Sequence, residues 1–357
     1  MPRIGQSRKK EIVKKRFRFF IYELFWIFLG VFALIWIPFF IIPLFISQNS
    51  VIYGILFYSF RAIIVLLAIP IILFLFNLVF DPQKRDLIIE EDVSAAMGHL
   101  KLYKMSKKNY KYQILYGILI FFLVFLPIDF FGYILVPSML EYQAFALSSN
   151  IINIYLLDPN YFVFLISVII IQLSVAISEE TIFRGVITKR GGVYFFKYSA
   201  VLISALSWGL GHFAYFINPI SVFYPFWYPI VWFIQAFFIG IILSLLILRR
   251  KWLIPAIIAH ALNNIISAHA VWSLLQGNDF TIVGLYLYYP LLIIGCILFI
   301  WYYSKIKEGF SIGINMLKTY FKREDKFEKT TGDSIVRVLF DILIALIIFI
   351  MSFMVSI

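Results

Sequence analysis

A short cluster of charges interrupts a long apolar stretch near the middle of the sequence. Glu179, Glu180 and Arg184 follow the apolar run 161–177. A charge at the centre of a bilayer costs roughly 3 kcal/mol or more, so three together need a structural or chemical reason. Glu180 and Arg184 are spaced i, i+4 and can neutralise each other on one helix face. Glu179 points about 100° away from Glu180, has no basic partner in its own helix, and is the better candidate for a general base.

Two further polar positions lie in apolar stretches downstream of this cluster. His212 ends a segment in which Gly209 and Gly211 would allow another helix to approach closely. His260 and Asn264 are four residues apart and therefore share one helix face. A carboxylate, two histidines and an asparagine can supply a base and hydrogen-bond donors for hydrolysis without a covalent nucleophile. The same groups also suit a buried hydrogen-bonded network that ties helices together.

The composition identifies the elements that must position these residues. The chain has 357 residues, of which 62% are hydrophobic and only 14% are charged. A soluble domain is nearer half apolar and a quarter charged, so we expect an all-α, polytopic membrane protein. The single cysteine, Cys296, excludes an intramolecular disulfide and a thiol metal cluster.

Hydropathy divides the chain into nine predicted membrane spans, an eight-span core and a ninth C-terminal span. With the N-terminus in the cytoplasm and the C-terminus outside, all but three of the 31 Lys and Arg residues fall in inner segments. The net charge of +12 is therefore a topology signal and an attraction to membrane lipids, and we expect no nucleic-acid partner. The predicted spans are 19–46, 51–80, 113–136, 160–188, 198–217, 224–248, 252–276, 281–303 and 335–357.

The spans group into four predicted parts. Residues 1–18 form a basic cytoplasmic segment, and residues 19–303 form the membrane-embedded core. Residues 304–334 form an amphipathic and charged cytoplasmic linker, and residues 335–357 form the extra C-terminal helix. We also expect segment 81–112 to lie at the inner membrane surface.

Depth in the membrane links the polar positions. Counted at about 1.5 Å per residue from the flanking inner basic residues, the four lie about 13 to 22 Å deep. In a hydrocarbon core about 30 Å thick, this is the middle third or close to it, as a shared site requires. The four residues are Glu179, His212, His260 and Asn264. His269 lies on roughly the opposite face from His260 and is expected to be dispensable, and His99 lies in a surface segment.

Other ionisable residues in the spans are expected to have structural roles. Glu23 lies about one helical turn from Arg18, and Arg337 and Asp341 can pair on one helix face. The remaining two are Arg61, which we expect to satisfy carbonyls or a carboxylate on another helix, and Asp129.

The ordered motifs resemble those of the CAAX prenyl endopeptidase family of intramembrane proteases, also called CPBP or Abi. Its patterns are Glu-Glu-x-x-x-Arg, matched at 179–184, Phe-x-x-x-His, matched at 208–212, and His-x-x-x-Asn/Asp, matched at 260–264. The resemblance extends over about residues 113–303. One departure is Trp208 where the family usually has Phe, which we interpret as a change at a packing residue.

The resemblance implies a role for each matched residue. Glu179 would activate water, assisted by His212, and His260 and Asn264 would donate hydrogen bonds to the oxyanion. Glu180 and Arg184 would support them. The substrate would be a peptide or lipid-modified protein, cleaved near its C-terminus.

The need for a metal is open at this point. Two histidines and a carboxylate can bind zinc, and Glu179, His212 and His260 would be the ligands. The sequence has no His-Glu-x-x-His pair, and we favour a metal-free mechanism. The oligomeric state is not indicated by the sequence.

Two other function classes fit parts of the sequence. A proton-coupled transporter would use the same carboxylates and histidines as a relay, but we expect broken helices and inverted repeats in that class. A non-catalytic membrane protein that binds a partner, such as an immunity protein, is the third possibility.

Overall fold

The computed structural model describes residues 3–85, 94–194, 196–213, 224–322 and 331–356. Within these ranges the chain forms helices joined by turns, and it has no strand. We number the helices in chain order, joining α-helical segments that continue through a π-helical one. They are α1 (Arg3–Ile41), α2 (Val51–Arg85), α3 (Ala95–Leu100), α4 (Tyr110–Leu135), α5 (Ser138–Ser148), α6 (Tyr161–Tyr194), α7 (Lys197–Gly211), α8 (Tyr228–Arg250), α9 (Ile254–Leu275), α10 (Phe280–Phe321) and α11 (Thr331–Ser356).

Eight helices in these ranges are long and apolar enough to cross a membrane: α1, α2, α4, α6, α8, α9, α10 and α11. A helix satisfies its backbone hydrogen bonds internally, so these apolar runs are stable in lipid in this form. The predicted all-α, polytopic membrane bundle is confirmed. The protein is an integral, multi-pass membrane protein.

The fifth predicted span, 198–217, corresponds to a shorter helix. Helix α7 has 15 residues, which at 1.5 Å per residue is about 22 Å and less than the hydrocarbon thickness. It ends next to His212, and residues 214–223 lie outside the described ranges. The end of α7 within the bundle places His212 at a helix terminus.

The main apolar core lies among helices α4, α6, α8 and α9. Phe125, Phe164, Leu243 and Ala259, one from each of these helices, are all buried in it. Helix α6 also packs against α2 and α7, and α7 packs against α8. Helix α6 therefore contacts α2, α7, α8 and α9, and one face of its first half, with Phe162 and Ile166, is exposed.

The C-terminal helix belongs to a second apolar core. Helix α11 packs against α7 and α1, and its Ile348 is buried in the same cluster as Ile27 of α1 and Ile203 of α7. Arg337 donates a hydrogen bond to the Tyr320 carbonyl over 2.8 Å, and Tyr320 donates its hydroxyl proton to Asp341 over 3.0 Å. Helix α11 thus forms part of the bundle wall and is anchored to the end of α10.

Glu23 has an ion-pair partner on another helix. Arg190, near the C-terminal end of α6, donates to Glu23 through Nε over 3.0 Å, and the side chain of the expected neighbour Arg18 is not among those that the structure describes. The pair is buried and joins α1 to α6. Spacing within one helix did not reveal it because the partner belongs to another helix.

The segments between the spans also pack on the bundle. In segment 81–112, helix α3 and the turn Lys101–Tyr103 bury His99 and Leu102, while residues 86–93 lie outside the described ranges. Helix α10 continues from the span through Phe321, so the first part of the predicted linker extends the same helix. On the other side, α5 packs against α9.

Candidate active site

The Glu179-Glu180 pair lies where helix α6 changes its winding. The helix is α-helical to Glu180 and π-helical from Thr181 to Arg190. The Thr188 hydroxyl donates to the carbonyl of Phe183, five residues earlier, over 3.1 Å. Single π-helical turns occur frequently at functional sites. The change of winding fixes the direction of the side chains on either side of it.

The two glutamates point into different environments. The Glu180 side chain has 0% relative exposure and faces the protein interior. The Glu179 side chain retains 24% exposure and lines the cavity described below. This division agrees with the assignment of Glu180 as the paired carboxylate and Glu179 as the accessible one.

Glu180 is shared between two partners. Its Oε2 lies 3.3 Å from Arg184 Nε, and both side chains are fully buried. Its Oε1 lies 2.9 Å from His260 Nδ1 on helix α9. A carboxylate can only accept a hydrogen bond, so Nδ1 carries the hydrogen and the Nε2 side of the ring is directed elsewhere. The spacing within α6 indicated the Arg184 contact, but it gave no sign of the His260 contact.

His260 Nε2 is directed toward Glu179. The distance from Nε2 to Glu179 Oε2 is 4.0 Å, which is too long for a hydrogen bond. The ring of Phe125 stacks on His260 with a centroid distance of 6.1 Å. Glu180 and Phe125 therefore fix the orientation of His260, with its second nitrogen beside the cavity carboxylate.

Trp208 has a larger part than the packing role expected from the sequence. Its indole Nε1 donates to Glu179 Oε2 over 2.7 Å, and the Arg184 guanidinium lies 4.2 Å from the ring centroid. A phenylalanine could supply the ring face but has no N–H group. The interpretation of Trp208 as a packing residue was incomplete, because the sequence did not show that its indole reaches Glu179 from α7.

His212 lies at the end of α7, one turn after Trp208. Its Nδ1 is 3.3 Å from the Trp208 carbonyl, and its ring centroid is 5.1 Å from that of Trp232 on α8. A Cβ added at Gly209 would lie 3.1 Å from the Phe233 ring and 3.3 Å from its carbonyl. The expected close approach to α7 therefore occurs at Gly209, and it comes from α8.

One cavity of about 390 Å³ brings the predicted residues together. Glu179, His212, His260 and Asn264 all line it. They come from helix α6, the end of α7, and helix α9. The sequence indicated a common depth for these four residues, and in the structure their side chains also line the same cavity.

Arg61 also lines this cavity, although the sequence favoured a structural role for it. It comes from α2 together with Tyr58, one turn earlier, and it interacts electrostatically with Glu179. The Tyr58 hydroxyl donates to Asn153 Oδ1 over 3.1 Å. The signal that could have identified Arg61 is its position deep within a span, away from the basic segments between the spans.

The two remaining histidines lie outside the cavity lining. The His269 ring packs among Tyr161, Phe164 and Trp272, with centroid distances of 5.6, 5.7 and 5.9 Å. His99 is buried, and a Cβ added at Gly185 would lie 2.9 Å from its Cε1. Their positions agree with the sequence-based preference for His212 and His260.

The side chains as placed do not match a metal site. Among the described residues, no group of three His, Cys, Asp or Glu side chains could hold a metal ion. The contacts of Glu179 Oε2 with Trp208 and of His260 Nδ1 with Glu180 leave His260 Nε2 facing the cavity. The expected zinc ligands Glu179, His212 and His260 line one cavity but are not placed as such a group.

Comparison with known proteins identifies a matching family over part of the chain. Residues 161–266 match the family model described as Rce1-like, "Type II CAAX prenyl endopeptidase Rce1-like". This region covers less than a third of the chain and contains helices α6 to α8 and the first half of α9. The matched region includes all six motif residues: Glu179, Glu180, Arg184, His212, His260 and Asn264. The match supports the activity of an intramembrane peptide hydrolase. Neither the curated proteins nor the solved structures that were searched contain a match to this chain.

Proposed function

We propose that this protein is an intramembrane endopeptidase that hydrolyses a peptide bond near the C-terminus of a prenylated or membrane-associated substrate. Water activated by Glu179 would be the nucleophile. The site would open toward the cytoplasmic half of the membrane, with the N-terminus in the cytoplasm. The substrate would enter from the membrane or from the cytosolic face.

The first step of this mechanism uses Glu179. Its carboxylate takes a proton from a cavity water while the water oxygen attacks the substrate carbonyl carbon. Trp208 holds Oε2 in place, and the 4.0 Å separation between this oxygen and His260 Nε2 is a gap that a reacting group can bridge. His212, across the cavity, assists in positioning the water.

The second step requires donors for the negative charge on the carbonyl oxygen. Asn264 can donate through its side-chain amide. His260 can donate through Nε2 when both ring nitrogens are protonated, since Nδ1–H is already held by Glu180. Collapse of the tetrahedral intermediate breaks the C–N bond, and the leaving amine receives the proton that Glu179 took.

The observation that carries this proposal is the convergence of four polar side chains from three elements on one cavity within the membrane bundle. Peptide hydrolysis needs a general base, here Glu179 assisted by His212, and donors for the oxyanion, here His260 and Asn264. The family match over residues 161–266 adds independent support.

A direct test compares variants of the purified protein on a prenylated peptide and on a peptide library. We expect Glu179→Gln to lower kcat by about 10²- to 10⁴-fold, because the general base is lost while the shape is kept. His212→Ala should also be impaired, and a chelator should leave the wild-type rate unchanged. Cleavage that survives Glu179→Gln would refute the mechanism, and chelator inhibition reversed by zinc would show that a metal is needed.

The same purified protein also distinguishes the peptidase from a transporter and from a partner-binding protein. In liposomes, a proton-coupled transporter would show ion or solute flux that depends on Glu179, without peptide cleavage. A partner-binding protein would show neither activity. Either result would replace the peptidase proposal.

A further inference from the structure

The cavity contains one guanidinium group whose role the peptide-hydrolysis mechanism does not use. Among the described lining residues, Arg61 is the single Lys or Arg. It shares the cavity with two carboxylates, Glu179 and Asp129, and with His212 and His260. Tyr58 and Arg61 on α2 face the same space as Val175 and Glu179 on α6.

Arg61 lacks the close partners that the other deep arginines have. Arg184 is paired with Glu180 at 3.3 Å, and Arg190 with Glu23 at 3.0 Å. Within the described ranges Arg61 has no such ion pair, and its Nε, like the guanidinium nitrogens of Arg184, is buried without a hydrogen-bond partner. It interacts with Glu179 through the field of its charge and has no direct ion pair.

Burying a guanidinium group within the bundle costs free energy unless an anion pairs with it. A cation within the bilayer normally pairs with another residue or marks a ligand path. The guanidinium plane presents paired N–H donors that match a carboxylate in a bidentate arrangement. The chemistry of Arg61 therefore points to an anionic group of the ligand that enters the cavity.

We propose that Arg61 binds the C-terminal carboxylate of the substrate, which makes it a specificity-determining residue. This inference rests on the proposed peptidase function. A peptide end carries one carboxylate, and Glu179 in the same cavity would repel it if Arg61 were absent. A cavity of about 390 Å³ encloses only a short segment, so the scissile bond and the chain end are a few residues apart.

A lipid phosphate is the other anion that an arginine in a membrane protein can bind. Lipid headgroups lie at the membrane surface, whereas Arg61 shares its part of the cavity with Glu179 in the interior of the bundle. The substrate carboxylate is therefore the favoured occupant. Lipid binding remains a distinct outcome of the test.

The experiment uses two peptides of the same sequence, one with a free C-terminal acid and one with a C-terminal amide. We expect the wild type to prefer the acid by about 10- to 100-fold in kcat/KM, mainly through KM. Arg61→Gln should reduce this preference to about 2-fold or less, mainly through a higher KM for the acid peptide. Arg61→Lys should keep part of the preference, because it keeps the charge but loses the fork of donors.

Arg249→Gln is the matched control. Arg249 lies at the end of α8 and makes a pair of 3.6 Å with the exposed Glu308, outside the cavity lining. This variant should cleave both peptides as the wild type does. If Arg61→Gln does not fold, the test is the binding of the two peptides to Glu179→Gln, which should favour the acid by a similar factor.

The outcomes separate this inference from the function on which it rests. Equal cleavage of the acid and the amide by the wild type, still dependent on Glu179, would overturn the role of Arg61 and leave the peptidase intact. An equal fall in kcat for both peptides in Arg61→Gln would show that Arg61 acts through Glu179 and does not bind the substrate carboxylate. If adding anionic lipid abolishes the preference for the acid peptide, Arg61 binds lipid headgroups. If no cleavage depends on Glu179, the peptidase proposal itself is refuted.

Discussion

Glu180 and His260 are joined across two helices by a buried contact of 2.9 Å between Oε1 and Nδ1. Glu180 also pairs with Arg184, so one carboxylate balances a buried cation and orients an imidazole ring. This arrangement gives Glu180 a role in both the stability and the chemistry of the site. The two roles can be separated by mutation.

We expect Glu180→Ala to destabilise the protein by about 3–5 kcal/mol, because it leaves the Arg184 charge buried without its partner. The double variant Glu180→Leu/Arg184→Met removes both charges and should recover most of this stability. Thermal unfolding in detergent measures both effects. Neither variant should regain peptidase activity, since His260 loses its orienting contact in both.

Equal stability loss in the single and double variants would contradict this explanation. Glu179→Ala is the matched control, because Glu179 faces the cavity and is 24% exposed. Its melting temperature should fall less than that of Glu180→Ala, because it removes the Trp208 hydrogen bond but leaves the Glu180–Arg184 pair intact.

Trp208 provides two separable contacts, an N–H donor to Glu179 and a ring face under Arg184. Trp208→Phe removes the donor and keeps the face, so we expect a loss of about 1.5–3 kcal/mol or less, as for one hydrogen bond to a charged group. Trp208→Ala removes both contacts and leaves a void, which should cost about 3–5 kcal/mol. Unfolding curves for the two variants should therefore differ clearly, and similar curves would show that the ring face contributes little.

His260 and His269 lie on the same helix and form a natural pair for comparison. His260 lines the cavity, whereas His269 packs among Tyr161, Phe164 and Trp272. We expect His260→Ala to lower kcat by about 10²- to 10⁴-fold, and His269→Ala to keep activity within a factor of about two to three. Steady-state kinetics on one peptide measures both, and the reverse order would show that the wrong histidine was assigned to the site.

His99 should make the stability of the protein depend on pH. Burial, together with the nearby positive charge of Arg190, lowers the pKa of His99 to about 4, against an ordinary value of about 6.5. Because the unfolded state then binds a proton more readily, stability is complete above pH 6.5 and falls as the pH is lowered toward 4. The total loss is of the order of 3 kcal/mol.

Melting temperatures of the wild type and His99→Leu at pH 8 and pH 5 test this expectation. The wild type should lose stability at pH 5, and the variant should lose less. Parallel losses in the two proteins would assign the pH dependence to other groups. Tyr103, whose ring centroid lies 5.7 Å from that of His99, packs beside it and is kept in both proteins.

The features that follow from local pattern could be predicted from the sequence. Long apolar runs gave the membrane helices, and the spacing of Glu179, His212, His260 and Asn264 gave a common depth. These inferences need only the rise and turn of a helix, so they do not depend on how helices pack. The single cavity that unites the four residues depends on helix directions, which spacing does not determine.

The features that were missed depend on contacts between helices. Glu23 pairs with Arg190, Glu180 binds His260, and the Trp208 indole reaches Glu179, in each case across two helices. Two of the three π-helical segments in the described ranges, Phe121–Phe125 and Thr181–Arg190, also gave no sequence signal. The first segment includes Phe125, which stacks on His260, and the second begins directly after Glu180. The local winding of these helices therefore helps to set the geometry of the site.

Helix α11 completes the wall beside α7, and its Ser352 lines the cavity. During synthesis, Glu179, His212 and His260 all leave the ribosome before residues 331–356 exist. The enclosure around them is therefore finished only when this last helix has been inserted and has docked. We expect the order of synthesis to delay the onset of activity until the neighbouring helices of the newly made protein are already packed and protected from cleavage.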